Sequence, residues 1–403
     1  MNILHINTRY IGGGGAASIA NLLHNEINKQ KGMTSRFLYG RGKSNDPSAV
    51  KIGAEIESYI SAGVTRLFGK ELNRELSRNI KNEIDNADII HIHNLHGYYV
   101  SYESLMNYIV EKDKKVIWTL HDTWVFTGRC AFTFGCDKWK RGCGDCKNLN
   151  VYPATKKDLS DKLWIKKKAL FTKLNKEKTI FITPSEWLKG LVNESFLRDY
   201  RVEVINNGIE ESNCLDINKD ILRKKFNLPL DKKIVLFVAA DPNDERKGVK
   251  YILDILDKVD DDVIFVSMGK KISIRNNRLI QLGYISNRKD IYKIYRASDV
   301  FVITSLDDNF PTTVLEAFAN GIPVVGFDTG GIKEQLQEGG GKLVKNKSSE
   351  HLKSALEEVF ISEENVKKMS LVAKERFNTN FTNNVFVRKY ENLYNRLLRN
   401  ESV

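Results

Sequence analysis

The sequence predicts an α/β protein built from two doubly wound, parallel-sheet domains. Residues 1–205 alternate short apolar runs with longer amphipathic stretches, the pattern of strands joined by crossover helices. The same pattern restarts after Asn207-Gly208, and a length of 403 residues suits two domains. We therefore expect a first domain over residues 1–205, a second over 206–380, a linker near 204–211, and a C-terminal helix within 381–403.

The apolar runs predict four strands in each half. They cover residues 3–7, 89–93, 116–120 and 180–183, then 234–239, 263–268, 300–304 and 323–326. Helices are predicted near residues 248–256, 288–295, 311–319 and 383–398. The last of these places Val385, Tyr390, Tyr394 and Leu397 at helical spacing, so it should pack onto a core through one face.

Residues 298–334 carry the clearest functional pattern. An apolar strand ends in a polar loop, and Pro311 follows where a first helical residue would stand, since its fixed φ suits that position. Thr312, Thr313 and Val314 would then present backbone amides at a helix start. Such amides beyond the carboxyl end of a strand predict a diphosphate site.

Two acidic residues flank this predicted helix start. Asp308 precedes it and Glu316 lies one turn inside it. Carboxylates beside phosphates would repel them, so hydroxyl groups are the expected partners, and the combination indicates a sugar nucleotide. An acidic helix start, stabilised by the helix dipole by about 0.3–1 kcal/mol, explains Asp308 as an alternative but not Glu316.

Arg246 and Lys247 follow the strand predicted at 234–239 and precede Gly248. Two cations there can neutralise the charge that develops on a departing nucleoside diphosphate, and glycine allows the backbone to approach a ligand closely. The alternative is a basic pair that caps a turn.

The first half carries two further candidates at strand ends. Residues 12–15 are four glycines between the first strand and a helix-forming segment, so the amides near Gly13 and Gly14 could reach a phosphate or a sugar. The run lacks the G-x-G-x-x-G pattern of dinucleotide sites, and its alternative is a tight turn. His121 follows the strand at 116–120, at the sheet edge where ligands bind; its alternative is a histidine satisfied by backbone.

These motifs in this order resemble the family 4 retaining glycosyltransferases, which have the GT-B fold. The matching pieces are residues 12–15, Thr119-Leu120-His121-Asp122, Asn207-Gly208-Ile209, Arg246-Lys247-Gly248, Leu282-Gly283-Tyr284 and the Asp308/Glu316 pair. The resemblance implies two Rossmann-like domains that face an interdomain cleft and a last helix that crosses back to the first domain. It also implies a nucleoside-diphosphate sugar, with UDP or GDP, as the donor.

The resemblance further implies roles for individual residues. Lys247, with Arg246, would bind phosphate, and Glu316 would hold the ribose hydroxyls. Asp308, where the family usually has glutamate, would bind donor-sugar hydroxyls. His121 would contact the donor sugar, with Asp122 orienting it. The remaining predicted donor-binding residues are Gly13, Gly14, Tyr284, Phe310, Pro311, Thr312 and Thr313.

Tyr284 is placed to cover the base, with core packing as its alternative. For the reaction we expect a front-face displacement in which the leaving diphosphate accepts the acceptor's proton, through an oxocarbenium-like transition state. This mechanism requires no protein nucleophile. We expect no catalytic metal, because the cations and the helix start would carry the diphosphate.

Four of the five cysteines lie together on one glycine-rich segment, at Cys130, Cys136, Cys143 and Cys146. Four thiolates match tetrahedral structural zinc, and free thiols are the alternative. Similar insertions occur in the branch of the resembling family linked to exopolysaccharide and capsule synthesis. Cys214 is expected to be unrelated.

Charge and hydropathy bear on partners and location. The net charge of +12 favours anionic partners, or it reflects a solvated lysine-rich surface. Residues 156–178 hold nine lysines among Leu163, Trp164, Leu170, Phe171 and Leu174. This segment predicts either a helix that dips into the anionic inner face of the membrane or an ordinary surface helix. Without a signal peptide or a bilayer-spanning run, a cytoplasmic location is expected, peripheral at that inner face if the helix binds it.

The predicted function is that of a retaining glycosyltransferase of the hexosyltransferase type that serves bacterial surface polysaccharide synthesis. Its acceptor would be a glycan or a lipid-linked molecule; a small molecule or a protein is the alternative acceptor. A second alternative is an inactive sugar-nucleotide binder. An alternative from another class of protein is a basic, zinc-containing protein that binds nucleic acid. Aromatic residues that could stack on bases are few outside residues 156–178, so nucleic acid is not an expected partner.

Overall fold

The computed structural model describes residues 1–68, 72, 74–212 and 215–399, so Cys214 lies outside the described residues. The chain divides into two compact units. Unit one comprises residues 1–206 together with 386–403, and unit two comprises residues 207–385. The chain thus leaves unit one at Asn206 and rejoins it at Phe386.

Unit one contains a parallel sheet of seven strands within its described part, in the order β3-β2-β1-β4-β5-β6-β7. The strands are β1 (Asn2–Arg9), β2 (Thr34–Arg41), β3 (Ala49–Lys51), β4 (Ile89–Ile92), β5 (Lys115–Thr119), β6 (Thr179–Thr183) and β7 (Arg201–Val204). The helices are α1 (Gly15–Ile27), α2 (Glu55–Phe68), α3 (Arg78–Asn86), α4 (Tyr102–Glu111), α5 (Ser160–Phe171) and α6 (Glu186–Asn193), with a short 3-10 turn at Lys138–Lys140.

Unit two contains a parallel sheet of six strands among the residues described, in the order β10-β9-β8-β11-β12-β13. The strands are β8 (Lys233–Ala239), β9 (Val263–Gly269), β10 (Leu279–Gln281), β11 (Val300–Ile303), β12 (Val324–Phe327) and β13 (Gly341–Val344). The helices are α7 (Lys219–Lys225), α8 (Val249–Leu253), α9 (Arg288–Ala297), α10 (Thr312–Ala319), α11 (Gly330–Leu336), α12 (Ser349–Val359) and α13 (Glu363–Arg376), with a 3-10 turn at Glu245–Lys247 and a π turn at Phe377–Phe381.

The last helix, α14 (Asn383–Leu398), packs on the sheet of unit one. Its buried Phe386, Tyr390 and Tyr394 join a core cluster with Ile3, Ile89 and other sheet residues. The hydroxyl of Tyr394 lies 2.6 Å from Nδ1 of His91, and that of Tyr390 lies 2.8 Å from Oγ1 of Thr119. The two buried tyrosine hydroxyls of this helix therefore find partners on the sheet, as buried polar groups require.

The predicted class, two parallel-sheet Rossmann-like domains, is confirmed. Each of the eight predicted strands falls on an observed strand, because central strands buried on both faces read as continuous apolar runs. The prediction missed β2, β3, β7, β10 and β13. Several of these are short edge strands with charged residues, such as the RVEV of β7, and lack the apolar run.

Both sheets have a point where the direction of the crossovers reverses. In unit one the chain moves outward from β1 to β3 and then restarts with β4 on the other side of β1. In unit two the same reversal separates β8 from β11. Parallel sheets bind ligands at the carboxyl ends of the strands beside such a point. Each unit therefore has one favoured edge for a site.

Candidate active site

The candidate site of unit two lies at the β8/β11 reversal. Arg246 and Lys247 follow β8, and Asp308 follows β11. Nζ of Lys247 lies 2.7 Å from Oδ2 of Asp308, and Nη1 of Arg246 lies 3.5 Å from the same oxygen. Residues 61 or more positions apart in sequence thus form one charged cluster at the sheet edge.

This cluster is held in place by the backbone of both strand ends. The amide of Leu306 donates to the carbonyl of Arg246 at 2.7 Å, and Oγ1 of Thr304 donates to the carbonyls of Lys247 and Gly248. Gly248 has φ of 61°, and a Cβ there would lie 2.1 Å from the carbonyl oxygen of Thr304. Only glycine therefore allows this close approach of the two loops.

Asp308 is a carboxylate in this setting. Burial raises its pKa, but the charges of Lys247 and Arg246 outweigh burial and hold the pKa below the ordinary value. The sequence assigned hydroxyl groups as its partners, whereas here its oxygen contacts the two cations. Arg246 also pairs with Asp244 at 3.1 Å, so the two cations are balanced by two carboxylates, and a diphosphate would have to compete with those carboxylates for the cations.

The helix start is one residue later than predicted. Pro311 is the N-cap with φ of −63°, and α10 begins at Thr312. The amide of Val314 donates to the carbonyl of Pro311, so it is not a phosphate donor as predicted. The amides of Thr312 and Thr313 belong to the first turn, where no intrahelical acceptor exists. Two predicted donors therefore remain at the helix start.

Glu316 lies one turn inside α10. Burial raises its pKa to about 7, although the Tyr295 hydroxyl and the Arg288 guanidinium act in the opposite direction. At neutral pH a carboxyl group with this pKa is only partly ionised, and its ionised form is stabilised by partners that donate hydrogen bonds to it. Two ribose hydroxyls are such partners.

Tyr284 lies on the loop after β10, and its side chain is 81% exposed. Core packing, the alternative for this residue, is therefore wrong. Phe310, by contrast, is buried in the core of unit two and contacts Phe381. Its backbone carbonyl accepts from the side-chain amide of Asn207 at 3.0 Å, so Phe310 anchors the loop before α10 rather than presenting its ring to a ligand.

Sequence reasoning missed the residues that hold this loop. Nε2 of Gln335 donates to the carbonyl of Pro311 at 3.1 Å, and the amide of Gly331 donates to the carbonyl of Asp308 at 3.3 Å. Both come from α11, behind the loop. A glycine pair at Gly330 and Gly331, next to a polar loop, was the signal that could have indicated them.

The glycine run of unit one joins β1 to α1. Gly12, Gly13 and Gly14 have φ of 70°, 115° and 94°, a run of left-handed conformations that other residues rarely adopt. Gly14 is the N-cap of α1, and the preceding Ile11 is 63% exposed. The loop therefore presents backbone at the carboxyl end of β1, next to the reversal point.

His121 lies two residues beyond β5 and close to buried histidines. Its Nε2 is 3.1 Å from Nδ1 of His93. Asp122 was expected to orient His121, but its carboxylate instead contacts Nε2 of His96 at 2.8 Å and the amide of Trp124 at 2.9 Å. Burial lowers the pKa of His121 to about 4, partly opposed by the charge of Asp122. His121 is therefore a neutral imidazole at neutral pH.

His5, His91 and His93 form a buried group whose nitrogen atoms lie within 4.8 Å of one another. The rings of His91 and His93 stack at 4.2 Å, so their in-plane lone pairs cannot converge on one ion. All four of their nitrogens already have partners: Tyr394, Thr119, His121 and His5. The group is a hydrogen-bond network and not a metal site.

The cysteine loop, residues 130–146, is fixed by its polar neighbours. Arg129 donates to the carbonyls of Val151, Pro153 and Asn148. Nζ of the buried Lys167 donates to the carbonyl of Trp124 at 2.7 Å and lies 3.5 Å from the centre of the Trp124 ring. These contacts hold the chain on either side of the loop, and Nε1 of Trp164 on α5 donates to the carbonyl of Trp139 within it at 2.8 Å.

The four cysteines offer the donor type that zinc prefers. Burial raises the pKa of Cys130 to about 11, with smaller contributions from Cys146 and Cys143, which lie near it. Sγ of Cys143 accepts from the amide of Gly128 at 3.2 Å. Among the described residues, however, the four sulfurs do not form a group within 4.8 Å, so a bound zinc would require them to draw closer.

The apolar side chains predicted to contact the membrane within residues 156–178 are not exposed. Trp164, Leu170, Phe171 and Leu174 are buried in the core of unit one. They therefore cannot dip into a bilayer, and the apolar face of α5 packs inward. Among the described residues, a search of the helices for an apolar stretch that could span a bilayer finds none.

A different helix exposes apolar side chains. On α2 the small polar Ser58, Ser61 and Thr65 face inward. The outward face is the α2 stripe, in which each side chain is more than half exposed: Ile56, Tyr59, Ile60, Leu67 and Phe68. This pattern is the reverse of an ordinary surface helix.

Comparison with known proteins identifies the family. Residues 13–213 match the family model described as Glycosyltransferase Family 4, and residues 218–376 match the model described as Glycosyl transferases group 1. The chain belongs to the family 4 glycosyltransferases and is a glycosyltransferase. Among the alternatives drawn from the sequence, the enzyme interpretation is confirmed.

Individual relatives show which processes such enzymes serve. The chain is 30% identical over 361 residues to WcaC of Escherichia coli K12, a glycosyl transferase named for colanic acid biosynthesis, covering 85% of this chain and 87% of that one. It is 29% identical to an N,N'-diacetylbacillosaminyl-diphospho-undecaprenol alpha-1,3-N-acetylgalactosaminyltransferase of Campylobacter jejuni, covering 43% and 48%. The fold matches an Anabaena protein, HepE, solved with UDP-glucose, at a TM-score of 0.66, 14% identity, and coverage of 98% and 100%.

Proposed function

We propose that this enzyme transfers a hexose-type sugar, with retention, from a nucleoside-diphosphate sugar to a lipid-linked acceptor during surface polysaccharide assembly. The contact that carries this proposal is the Lys247–Asp308–Arg246 cluster at the β8/β11 reversal, beside the start of α10. The relatives support the acceptor, since one acts on a diphospho-undecaprenol-linked sugar. UDP is the favoured nucleotide because the Anabaena structure holds UDP-glucose.

Each residue of the site has a proposed role in binding the donor. Lys247 and Arg246, with the amides of Thr312 and Thr313, would hold the diphosphate and stabilise the charge that develops on it as it leaves. Asp308 orients the two cations and can accept hydrogen bonds from donor-sugar hydroxyls. Glu316 would bind the ribose. The departing diphosphate would accept the acceptor's proton, so no carboxylate has to act as a nucleophile.

Transfer from labelled UDP- and GDP-sugars to a diphospho-lipid-linked sugar tests this proposal. Asp308→Asn removes the negative charge between the cations and should lower turnover strongly without unfolding the protein. Asp261→Asn is the matched control, because the side chain of Asp261 is 95% exposed. The same assay tests the alternative of an inactive binder. Donor binding without transfer or hydrolysis would support that alternative and contradict the proposal.

We also propose that the α2 stripe docks on the anionic inner face of the cytoplasmic membrane, where a lipid-linked acceptor is found. Charge complementarity supports this occupant: Arg66, Lys156 and Lys157 are exposed beside the end of the stripe. The amide of Lys156 donates to the carbonyl of Arg66 at 2.8 Å, which holds the backbone at Lys156 beside the end of the stripe. Burying one large apolar side chain in lipid contributes about 1.5–3 kcal/mol.

Flotation with vesicles tests the docking. The wild type should float with vesicles that contain phosphatidylglycerol and much less with pure phosphatidylcholine. Leu67→Ser with Phe68→Ser should abolish flotation, whereas Ile361→Ser, at a 79% exposed position in unit two, should not. Equal flotation of the double variant and the wild type would overturn the proposal.

A structural zinc in the cysteine loop stays a proposal as well. Its support is the presence of four thiols on one anchored segment, and its role would be to brace that segment. Metal analysis of the purified enzyme should find about one zinc per chain, lost in Cys143→Ser. A zinc-free enzyme with full activity would contradict it.

A further inference from the structure

Three imidazoles of unit one form a continuous hydrogen-bonded row, here called the histidine row: His5, His93 and His121. Nδ1 of His5 lies 3.1 Å from Nε2 of His93, and Nδ1 of His93 lies 3.1 Å from Nε2 of His121. The ring planes differ by only 15° and 22°, with ring centres 5.4 and 5.3 Å apart, so the rings meet edge to edge. The row crosses β1 and the ends of β4 and β5.

The buried end of the row decides which nitrogens carry protons. Nε2 of His5 is buried and has no hydrogen-bond partner among the residues described. A buried N–H without an acceptor is destabilising, and orphaned donors are rarer than under-used acceptors. The proton of His5 therefore resides on Nδ1, from which it is donated to His93.

That assignment fixes the rest of the row. A neutral imidazole carries one N–H, so His93, which accepts at Nε2, has its proton on Nδ1 and donates it to His121. His121 accepts at Nε2 and has its own proton on Nδ1. The protonation pattern runs in one direction from the core to the strand ends.

The surroundings keep the three rings neutral. Burial lowers the pKa of His5 and of His93 well below the ordinary value, and the neighbouring histidines lower both further. His91 is not part of the row: its nitrogens contact the Tyr394 hydroxyl and Oγ1 of Thr119, and it stacks against His93. Because the row ends at a buried nitrogen, it offers no exit for a proton. It can orient a ring but not relay charge.

We propose that His93 and His5 are positioning residues that fix His121 as the neutral tautomer with its proton on Nδ1. His121 then carries its one N–H on Nδ1, without positive charge, at the carboxyl end of β5. This matters for the reaction because positive charge develops on the sugar ring in an oxocarbenium-like transition state, and an imidazolium beside it would oppose that charge. The link to catalysis rests on the proposed function; the tautomer itself does not.

The tautomer can be read directly from the full-length enzyme labelled with 15N-histidine. With only seven histidines, long-range 1H–15N spectra can be assigned by single substitutions. At pH 7.5 we expect His5, His93 and His121 each to carry the proton on Nδ1. A His121 protonated on Nε2, or a charged His121, would overturn the proposal even if every variant failed to fold.

Substitutions at His93 test the causal link. His93→Asn keeps an amide N–H near the Nδ1 position, so His121 should stay in the Nδ1 form. His93→Leu removes the donor, and the His121 signals should move toward a mixture of tautomers. His24→Leu is the control, because the equally buried His24 touches the ring of His5 edge-on at 6.0 Å while its two nitrogens contact Ser35 and Ser48. A His121 spectrum unchanged in folded His93→Leu would contradict the proposal.

Kinetics separates the row from the proposed function. In His93→Leu, kcat should fall about tenfold with little change in KM, since the contact matters most in the transition state, and His93→Asn should recover most of the loss. If the tautomers change as described while kcat does not, control of the His121 tautomer by His93 would be established. The proposed role of His121 at the donor sugar would then be wrong.

Discussion

The two units use the same edge of the same kind of sheet in electrostatically opposite ways. At the β8/β11 reversal, Lys247, Arg246 and Asp308 are charged and pair with one another. Near the β1/β4 reversal, burial holds His93 and His121 neutral. The charged edge of unit two suits an anionic ligand, whereas the neutral imidazoles of unit one suit an uncharged, polar ligand. Two sheets of the same kind thus offer different chemistry at corresponding strand ends.

The largest expected effect is a loss of the folding stability of unit one at acid pH. His5, His24, His91, His93 and His121 have lowered pKa values in the folded state, all caused mainly by burial. The unfolded chain therefore binds more protons below pH 6.5, and stability falls as pH drops from there. By pH 5.5, each of these histidines should lower the free energy of unfolding by about 1.4 kcal/mol.

Glu316 acts in the opposite direction, because its folded pKa of about 7 exceeds the unfolded value. The net uptake should still be roughly four protons per molecule unfolded near pH 5.5. Urea titrations at pH 5.5, 6.5 and 7.5 would measure it. A free energy of unfolding that does not change between pH 7.5 and 5.5 would show that the histidines are not held neutral.

The next largest effect should come from the charged cluster. Lys247→Ala removes the cation closest to Asp308 and, by analogy with other transition-state donors, should reduce kcat by about 10²–10³, or 2.7–4 kcal/mol. Lys250→Ala removes an equal charge from an exposed position of α8 and should leave kcat unchanged. If both variants lose the same activity, general positive charge and not the cluster is responsible.

A smaller effect is expected from Gly248→Ala. The new Cβ would meet the carbonyl of Thr304 at a positive φ, which should lower the free energy of unfolding by about 1–3 kcal/mol. Gly190→Ala is the control: it lies in helix α6, has no heavy atom within 4 Å of the added Cβ, and should stabilise by about 0.5–1 kcal/mol. Denaturant midpoints with unchanged slopes would measure both.

The smallest predicted effect is a pH dependence of donor binding. Glu316 must ionise to accept two ribose hydroxyls, so the affinity for an intact sugar nucleotide should rise as pH rises through about 7. The intact donor carries no phosphate monoester, which would itself titrate near pH 6. Calorimetry from pH 6 to 8 should show an increase of up to about tenfold over that whole range. Glu316→Gln should abolish that slope, and a slope retained in the variant would assign it to another group.

The sequence was informative wherever function is carried by neighbouring residues. Pro311 with the threonines after it predicted the helix start to within one residue, and Lys247-Gly248 predicted a loop at the correct strand end. It failed where partners are distant. Asp308 contacts Lys247, 61 positions away, and the ring of His121 contacts His93, 28 positions away. The burial of Trp164 could not be predicted either, because a helix that packs on a core and a helix that binds a membrane have the same apolar pattern in sequence.

Calorimetric titration of UDP- and GDP-sugars into the wild type, Lys247→Ala, Glu316→Ala and Lys250→Ala tests the central claim most directly. The claim is that the β8/β11 edge of unit two holds the donor. It predicts that one nucleotide class binds the wild type and Lys250→Ala equally, and at least about tenfold more weakly when either Lys247 or Glu316 is removed. Equal binding by all four proteins would contradict the claim and place the donor elsewhere.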